Sequence, residues 1–323
     1  MYTGCFRSKK DKTKILIDTD PGNDDLLAIV MALSSIELDL KALTIVGGNA
    51  SLEDTTDNAL SLLSYMGRLD VPVYVGHPSA MNETLTSSAK LDDFKSHRSR
   101  IHGETGLHVD LPSSGAKPES THAVDLIISE LEANKGELVL VPIGPLTNIA
   151  MAIKKEPRII EWVKSVHVMG GAVNVPGNIT KSAEFNIYCD PVAANEVFSS
   201  GLNIKLCGLD ITRETSVKRG EVNWLNGDSP GELLIRQLLD IVFTRLTDRN
   251  SFSLHDPIAV LSVLYPELIQ WKTSHIAVIC DGEEVGKTCD LGKPGGSVEV
   301  GVGIDQDLAK TKIAEILGTI KAQ

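Results

Sequence analysis

The feature that most limits the fold is an alternation running almost from end to end of the chain. Short, nearly uninterrupted apolar runs are separated by stretches with helical spacing of Leu, Ile and Met. KILIDTD (14–20), LKALTIVGG (40–48), VPVYVG (71–76), ELVLVPIG (137–144), SVHVMGG (165–171) and IKLCGLDIT (204–212) read as strands. DDLLAIVMALSS (24–35), LEDTTDNALSLLSYMG (52–67), THAVDLIISELEANKG (121–136), LTNIAMAIKK (146–155) and DPVAANEVFSSG (190–201) read as helices. Strands that are apolar along their whole length are buried on both faces, as in a parallel sheet flanked by helices. The pattern predicts an open, doubly wound, mostly parallel α/β fold. Two stretches break the rhythm. Residues 77–120 are polar and rich in Ser, Pro and Gly, a long loop of the kind that tends to carry function. Residues 213–256 hold a helical pattern, GELLIRQLLDIVFTRL (231–246), and lead into SLHDP. No internal repeat or linker separates two cores, so we read a basic tail over 1–13 and a single domain over 14–323.

Composition narrows the function. With 42% hydrophobic and 23% charged residues the chain can build a large core, which excludes a predominantly disordered state. Charges interrupt every apolar run before the length of a membrane span, so no membrane partner is expected. Lys and Arg number 31 against 43 Asp and Glu, a formal charge of −12. Such a surface repels phosphate backbones and disfavours a nucleic-acid polymer as partner. The five cysteines form no CxxC pair and read as reduced thiols, and the N-terminus lacks the apolar stretch of a secretory signal. A cytoplasmic location is expected.

The polar residues that could do chemistry collect just after the strands: DTDPGNDD after the first, GGN after the second, PIGPLTN and MGG after later ones. Open α/β sheets bind ligands outside the carboxyl ends of their strands, so the active site is expected there. DTDPGNDD places Asp18, Asp20, Asp24 and Asp25 within eight residues, with a Pro-Gly turn between the pairs. One or two of these acids could simply cap the following helix. Four crowded together repel one another, and a divalent cation resolves the repulsion. Carboxylates with no Cys or His in the cluster favour Ca²⁺ or Mg²⁺ over zinc.

DTDPGNDD at the end of a first strand resembles the signature of the inosine-uridine-preferring nucleoside hydrolases. The resemblance continues in order through VGGN (46–49), HGETGL (102–107), VPIGPLTNIA (141–150), MGGA (169–172), GNIT...AEFNIYCDP (177–191), LHDP (254–257) and GKTCDL (286–291). It implies the nucleoside hydrolase fold and hydrolysis of the N-glycosidic bond of free ribonucleosides to ribose and base, with a place in nucleoside salvage. It implies one Ca²⁺ per subunit, held by Asp20, Asp25, the main-chain carbonyl of Ile143 and Asp256. Asp24, Asn49, Asn178, Glu184 and Asn186 fall at the family's ribose-binding positions, Met169 at one that lines the ribose, and Phe185 is expected among the substrate contacts. Amides and carboxylates suit a furanose, whose hydroxyls both donate and accept. Asp20 would serve as general base, with His255, also a substrate contact, and His102 assisting departure of the base. Imidazole is a suitable acid near neutral pH. Homodimers or homotetramers are implied as well.

Two other readings compete. A Mg²⁺-dependent phosphohydrolase also carries a DxD after its first strand, but it needs a downstream Lys and a second acidic pair. A calcium-dependent nucleoside or sugar binder without catalysis would keep the same ligands, yet Asp20 and His255 are intact. No GxGxxG follows a strand, which disfavours a dinucleotide enzyme. The wall over the base is expected from 77–101 and 222–250, the least motif-like segments, with uridine and inosine the favoured substrates and pyrimidines possible first choices. Trp162, Trp224 and Trp271 read as packing residues, Trp224 in a segment that could border the pocket. His167, alternating along a strand, reads as a satisfied structural histidine.

Overall fold

The computed structural model describes residues 12–78, 99, 101–221, 224–248, 250–292 and 296–319. Almost all of the N-terminal tail and the centre of the 77–120 loop lie outside these residues. An eight-stranded sheet has the order β3-β2-β1-β4-β5-β6-β12-β9. Its strands are β1 (Thr13–Thr19), β2 (Leu38–Ile45), β3 (Val73–Val75), β4 (Val139–Pro142), β5 (Ser165–Met169), β6 (Ile204–Cys207), β9 (Ile269–Ser274) and β12 (Val298–Ile304). Every neighbouring pair is parallel except β12 with β9, which closes one edge antiparallel. Two small antiparallel hairpins sit outside it: β7 (Ser216–Lys218) with β8 (Ser251–Ser253), and β10 (Ile276–Val278) with β11 (Thr288–Asp290).

The strands are apolar throughout because both faces are covered. In β1, Ile15 and Ile17 enter one core and Leu16 enters the other, as the two-residue period of a strand requires. Val139 and Val141 of β4 pack with the first, and Leu140 with the second. On the first face lie α1 (Asn23–Ser34), α2 (Leu52–Tyr65), α9 (Pro230–Arg245), α10 (His255–Leu264) and α11 (Gln306–Leu317). On the second lie α3 (Ala123–Ala133), α4 (Thr147–Lys155), the single turn α5 (Ile159–Trp162) and α7 (Pro191–Ser199). Two short helices, α6 (Phe185–Cys189) and α8 (Leu209–Thr212), stand among the loops at the strand ends.

Helix starts follow the local chemistry. Ser51, Asp190, Ser229 and Asp305 each accept a backbone N–H of the first turn, and Pro191 and Pro230 occupy positions where a missing N–H costs nothing. One expected strand divides. IKLCGLDIT is not continuous, because β6 stops at Cys207 and the chain turns at Gly208 into α8. A Cβ at residue 208 would lie 2.9 Å from the carbonyl oxygen of Gly171, so only glycine fits that crossing. His167 donates or accepts with Ser165 Oγ at 3.1 Å and Ser262 Oγ at 2.7 Å, inside the core. Trp162 is buried, and Trp271 donates from Nε1 to the Pro266 carbonyl at 2.9 Å. Trp224 borders a separate surface cavity with Lys310 and Glu232 rather than the cavity at the strand ends. No helix among the described residues is long and apolar enough to cross a membrane.

Candidate active site

The loops after β1, β2, β4 and β5 meet the start of α10 around a cavity of about 410 Å³. Its floor is acidic. The carboxylates of Asp24, Asp25 and Asp256 each offer an oxygen, and these oxygens lie within 4.8 Å of one another. Asp25 is fully buried and fixed from three sides. Thr19 Oγ1 donates to its Oδ1 at 2.6 Å, while the Gly22 N–H (3.0 Å) and Asn49 Nδ2 (2.9 Å) donate to its Oδ2. Asp20 is also fully buried, and its Oδ2 accepts the Asn49 N–H at 2.7 Å. Its Oδ1 has no hydrogen-bond partner among the described residues. Gly48 and Gly144, in two other loops, leave no room for a side chain beside this carboxylate.

Burial and mutual repulsion shape the charges. Asp20 and Asp256 are pushed well above the usual carboxylate range, first by desolvation and then by the neighbouring aspartates. The same causes lift Asp24 to about 7, and desolvation raises Asp25 and Glu184. Beneath them Asp18, lifted by burial to about 7, accepts from Thr44 Oγ1 (2.6 Å) and Asn148 Nδ2 (2.8 Å).

The side wall is built from amides and one carboxylate. Glu184 caps α6, and its oxygens accept the N–H groups of Gly171, Asn186 and Ile187 at 3.0, 3.0 and 3.1 Å. Asn186 Nδ2 donates to the Ile143 carbonyl at 2.7 Å, and Asn178 Oδ1 accepts the Phe185 N–H at 2.9 Å. At the other end His255 Nδ1 meets Thr212 Oγ1 at 2.8 Å, and the His102 ring lies 5.9 Å from that of Phe185. The model for the inosine-uridine preferring nucleoside hydrolases matches residues 15–311. The chain belongs to that family.

Members of this family hydrolyse N-glycosyl bonds of nucleosides, and this chain is such a hydrolase. It is 38% identical to the pyrimidine-specific ribonucleoside hydrolase RihB of Escherichia coli K12 over 314 residues, 92% of this chain and 94% of the relative. Two solved nucleoside hydrolases share its architecture. The plant enzyme PpNRh1 superposes with a TM-score of 0.86 at 32% identity, covering 95% of this chain and 99% of the other. A purine-preferring ribonucleoside hydrolase from Gardnerella vaginalis gives 0.84 at 31%, covering 95% and 100%. This family assignment replaces the phosphohydrolase reading of the DxD.

Asp24, Asn49, His102, Ile143, Met169 and Asn178 of the residues singled out by motif line the cavity, as do Glu184, Phe185, Asn186, His255 and Asp256. Asp20 and Asp25 lie behind that lining. One grouping differs from the expected ligand set. The clustered carboxylates are those of Asp24, Asp25 and Asp256, whereas Asp20 turns its Oδ2 to the Asn49 N–H. Val242 and Leu246 come from the 222–250 stretch expected over the base, and Ile101 from 77–101. Residues 79–98, 100, 222–223 and 249 lie outside the described residues. Sequence reasoning missed Thr19, Thr212, Arg213, Phe252 and Ser253. Thr19 stood within DTDPGNDD as an unremarked strand residue, and only its bond to Asp25 marks it out.

Proposed function

We propose that this chain hydrolyses free ribonucleosides, pyrimidine ribonucleosides first, using one bound Ca²⁺. The observation that carries the reading is a floor of three converging carboxylates beneath a wall of Asn49, Asn178, Glu184 and Asn186. The donor set fits a hard divalent cation: carboxylate oxygens, the nearby Ile143 carbonyl, and an Asp20 oxygen whose acceptor capacity no described residue uses. Asp20, Asp25, Asp256 and the Ile143 carbonyl would hold the ion, with Asp24 close enough to join them. When bound, it compensates the crowded carboxylates and acidifies a water.

The protein's own groups do the rest. Asp20 Oδ1 accepts the proton of the attacking water. Asp24, Asn49, Asn178, Glu184 and Asn186 engage the ribose hydroxyls and hold the sugar as the glycosidic bond lengthens, Met169 and Phe185 packing beside them. His255, held at Nδ1 by Thr212, and His102 beside Phe185 assist the departing base. Ile101, Val242, Leu246 and Phe252 give the base an apolar bed. Pyrimidines are placed first because the 38% identical relative is pyrimidine-specific, against 31% for the purine-preferring one. We further propose a single cytoplasmic domain that assembles as a homodimer or homotetramer and serves nucleoside salvage. Cys189, Cys207, Cys280 and Cys289 as free thiols support that location.

The test is kcat/KM over uridine, cytidine, inosine, adenosine and guanosine, read as ribose release. Uridine or cytidine should lead, EDTA should abolish turnover, and Ca²⁺ should restore it. A nucleoside bound without ribose release would leave only a binder.

A further inference from the structure

We propose that Arg213 and Asp210 are positioning residues for the sugar end of the cavity, acting from one helical turn on segment 173–178. The inference rests on the reading that Asn178 contacts the sugar. Segment 173–178 leaves β5 as a loop and contains a proline, so the sheet ladder does not fix it. Five side-chain hydrogen bonds do. Asp210, itself only 8% exposed, accepts the Val173 N–H at 2.9 Å, and the Asn174 N–H and Nδ2 at 2.8 and 3.0 Å. Three residues on, Arg213 donates through its two terminal nitrogens to the carbonyls of Pro176 (2.5 Å) and Gly177 (2.6 Å).

The acid holds the N–H groups at one end and the guanidinium holds the carbonyls at the other. Reversing either charge type would leave its partners unpaired, and charged hydrogen bonds are the stronger kind. The far side of the segment is tied by main chain, Gly177 N–H to Lys181 O at 3.0 Å and Asn178 N–H to Ala183 O at 3.0 Å. Asn178 is thereby set between the turn and α6, with its Oδ1 on the Phe185 N–H. The same turn carries Thr212, whose hydroxyl meets His255. A single turn after β6 thus braces two opposite parts of the cavity, and Arg213 itself forms part of the wall.

Lysine cannot reproduce a planar fork that serves two adjacent carbonyls, so the variants should rank in order. Hydrogen exchange of the ligand-free protein should show amides of 173–178 exchanging about 10-fold faster in Arg213→Met, with β1 unchanged. In steady state Arg213→Met should raise KM for uridine about 10-fold while kcat stays within about 3-fold, and Arg213→Lys should fall between. Asp210→Asn provides a second variant and should move the same amides. Unchanged exchange in 173–178 overturns the clamp. Faster exchange with unchanged KM overturns its role at the sugar end. The exchange measurement needs no turnover, so it judges the clamp even if the proposed reaction fails.

Discussion

Gly144 offers the sharpest test of how the proposed general base is held. It follows β4, and its φ is not in the left-handed region, so alanine is allowed by the backbone. Space is the obstacle. A Cβ at 144 would lie 2.5 Å from Asp20 Oδ1, 3.1 Å from Asp20 Cγ and 2.9 Å from Val46 Cγ1. Ordinary contact begins near 3.4 Å, so the methyl intrudes by about 0.9 Å on the oxygen assigned to take the proton. Val46 is fully buried, and the other carboxylate oxygen is held by the Asn49 N–H. Asp20 must therefore shift by most of that intrusion, stretching its 2.7 Å bond from the Asn49 N–H.

A misplacement of about 1 Å at a reacting group costs on the order of 100-fold in rate. The overpacking should also cost about 1–3 kcal/mol, a drop of a few degrees in melting temperature. We expect Gly144→Ala to lower kcat/KM for uridine about 100-fold and to melt slightly earlier. Gly220→Ala, where a Cβ meets nothing, is the neutral control. In an Asp20→Ala background the methyl has room, so the melting penalty of Gly144→Ala should shrink. Wild-type kcat/KM in the single variant, or an undiminished melting penalty in the double variant, would refute the reasoning.

Three further predictions concern charge and burial. Asp256→Asn should weaken Ca²⁺ binding at least about 10-fold by calorimetry, since affinity follows the ligand charge count. The same variant should melt higher than wild type in EDTA, because a carboxylate repelled by Asp24, Asp25 and Asp20 is gone. His167 is held neutral by burial, its pKa pushed down to about 3. The unfolded chain binds the extra proton between about 3 and 6.5, so this stability is full above pH 6.5 and is lost as pH falls. In urea titrations His167→Gln should lose about 2 kcal/mol less than wild type between pH 7 and pH 5. Asn148→Ala removes donors to Asp18 (2.8 Å) and the Ile45 carbonyl (3.1 Å), and the acceptor of the His77 N–H. Asp18 keeps Thr44 Oγ1 and the Ile45 carbonyl keeps the Gly76 N–H, so losing these three bonds should cost about 1–3 kcal/mol, read from the urea midpoint.

What could be read from the sequence was whatever depends on neighbours along the chain. The first strand and helix were placed within a residue or so, because apolar continuity and caps are local. The antiparallel edge IQWKTS was not legible: it is only half-buried and shows neither a continuous apolar run nor clean alternation. The strand-like reading of 204–212 failed because apolar residues of β6 and α8 run together, and Gly208 separates them only through its contact with Gly171. In the site, motifs brought the cavity residues to notice, but Asp210, Thr212 and Arg213 carry no motif. Their partners lie 36 to 43 residues away in sequence. The orientation of Asp20 toward Asn49 depends on glycines in two other loops, which no local pattern encodes.

The donors around the aspartates explain why this cluster reads as a cation site rather than as ion pairs. Thr19, the Gly22 N–H and Asn49 fix Asp25, and the Asn49 N–H fixes Asp20; all are neutral. Neutral donors orient a carboxylate without discharging it. An Arg or Lys in their place would cancel the charge and remove any need for a metal. Burying several carboxylates costs several kcal/mol each, and neutral hydrogen bonds return only part of it. The aspartates are therefore aligned with no cationic side chain fixing them, their pKa values are raised, and a cation bound among them would displace protons and offset the cost of burying the charges. Under the proposed reaction, that would couple stability to the same ion the chemistry uses. The loops after β1, β2 and β4 and the start of α10, distant in sequence, then gain a common reason to close on one point.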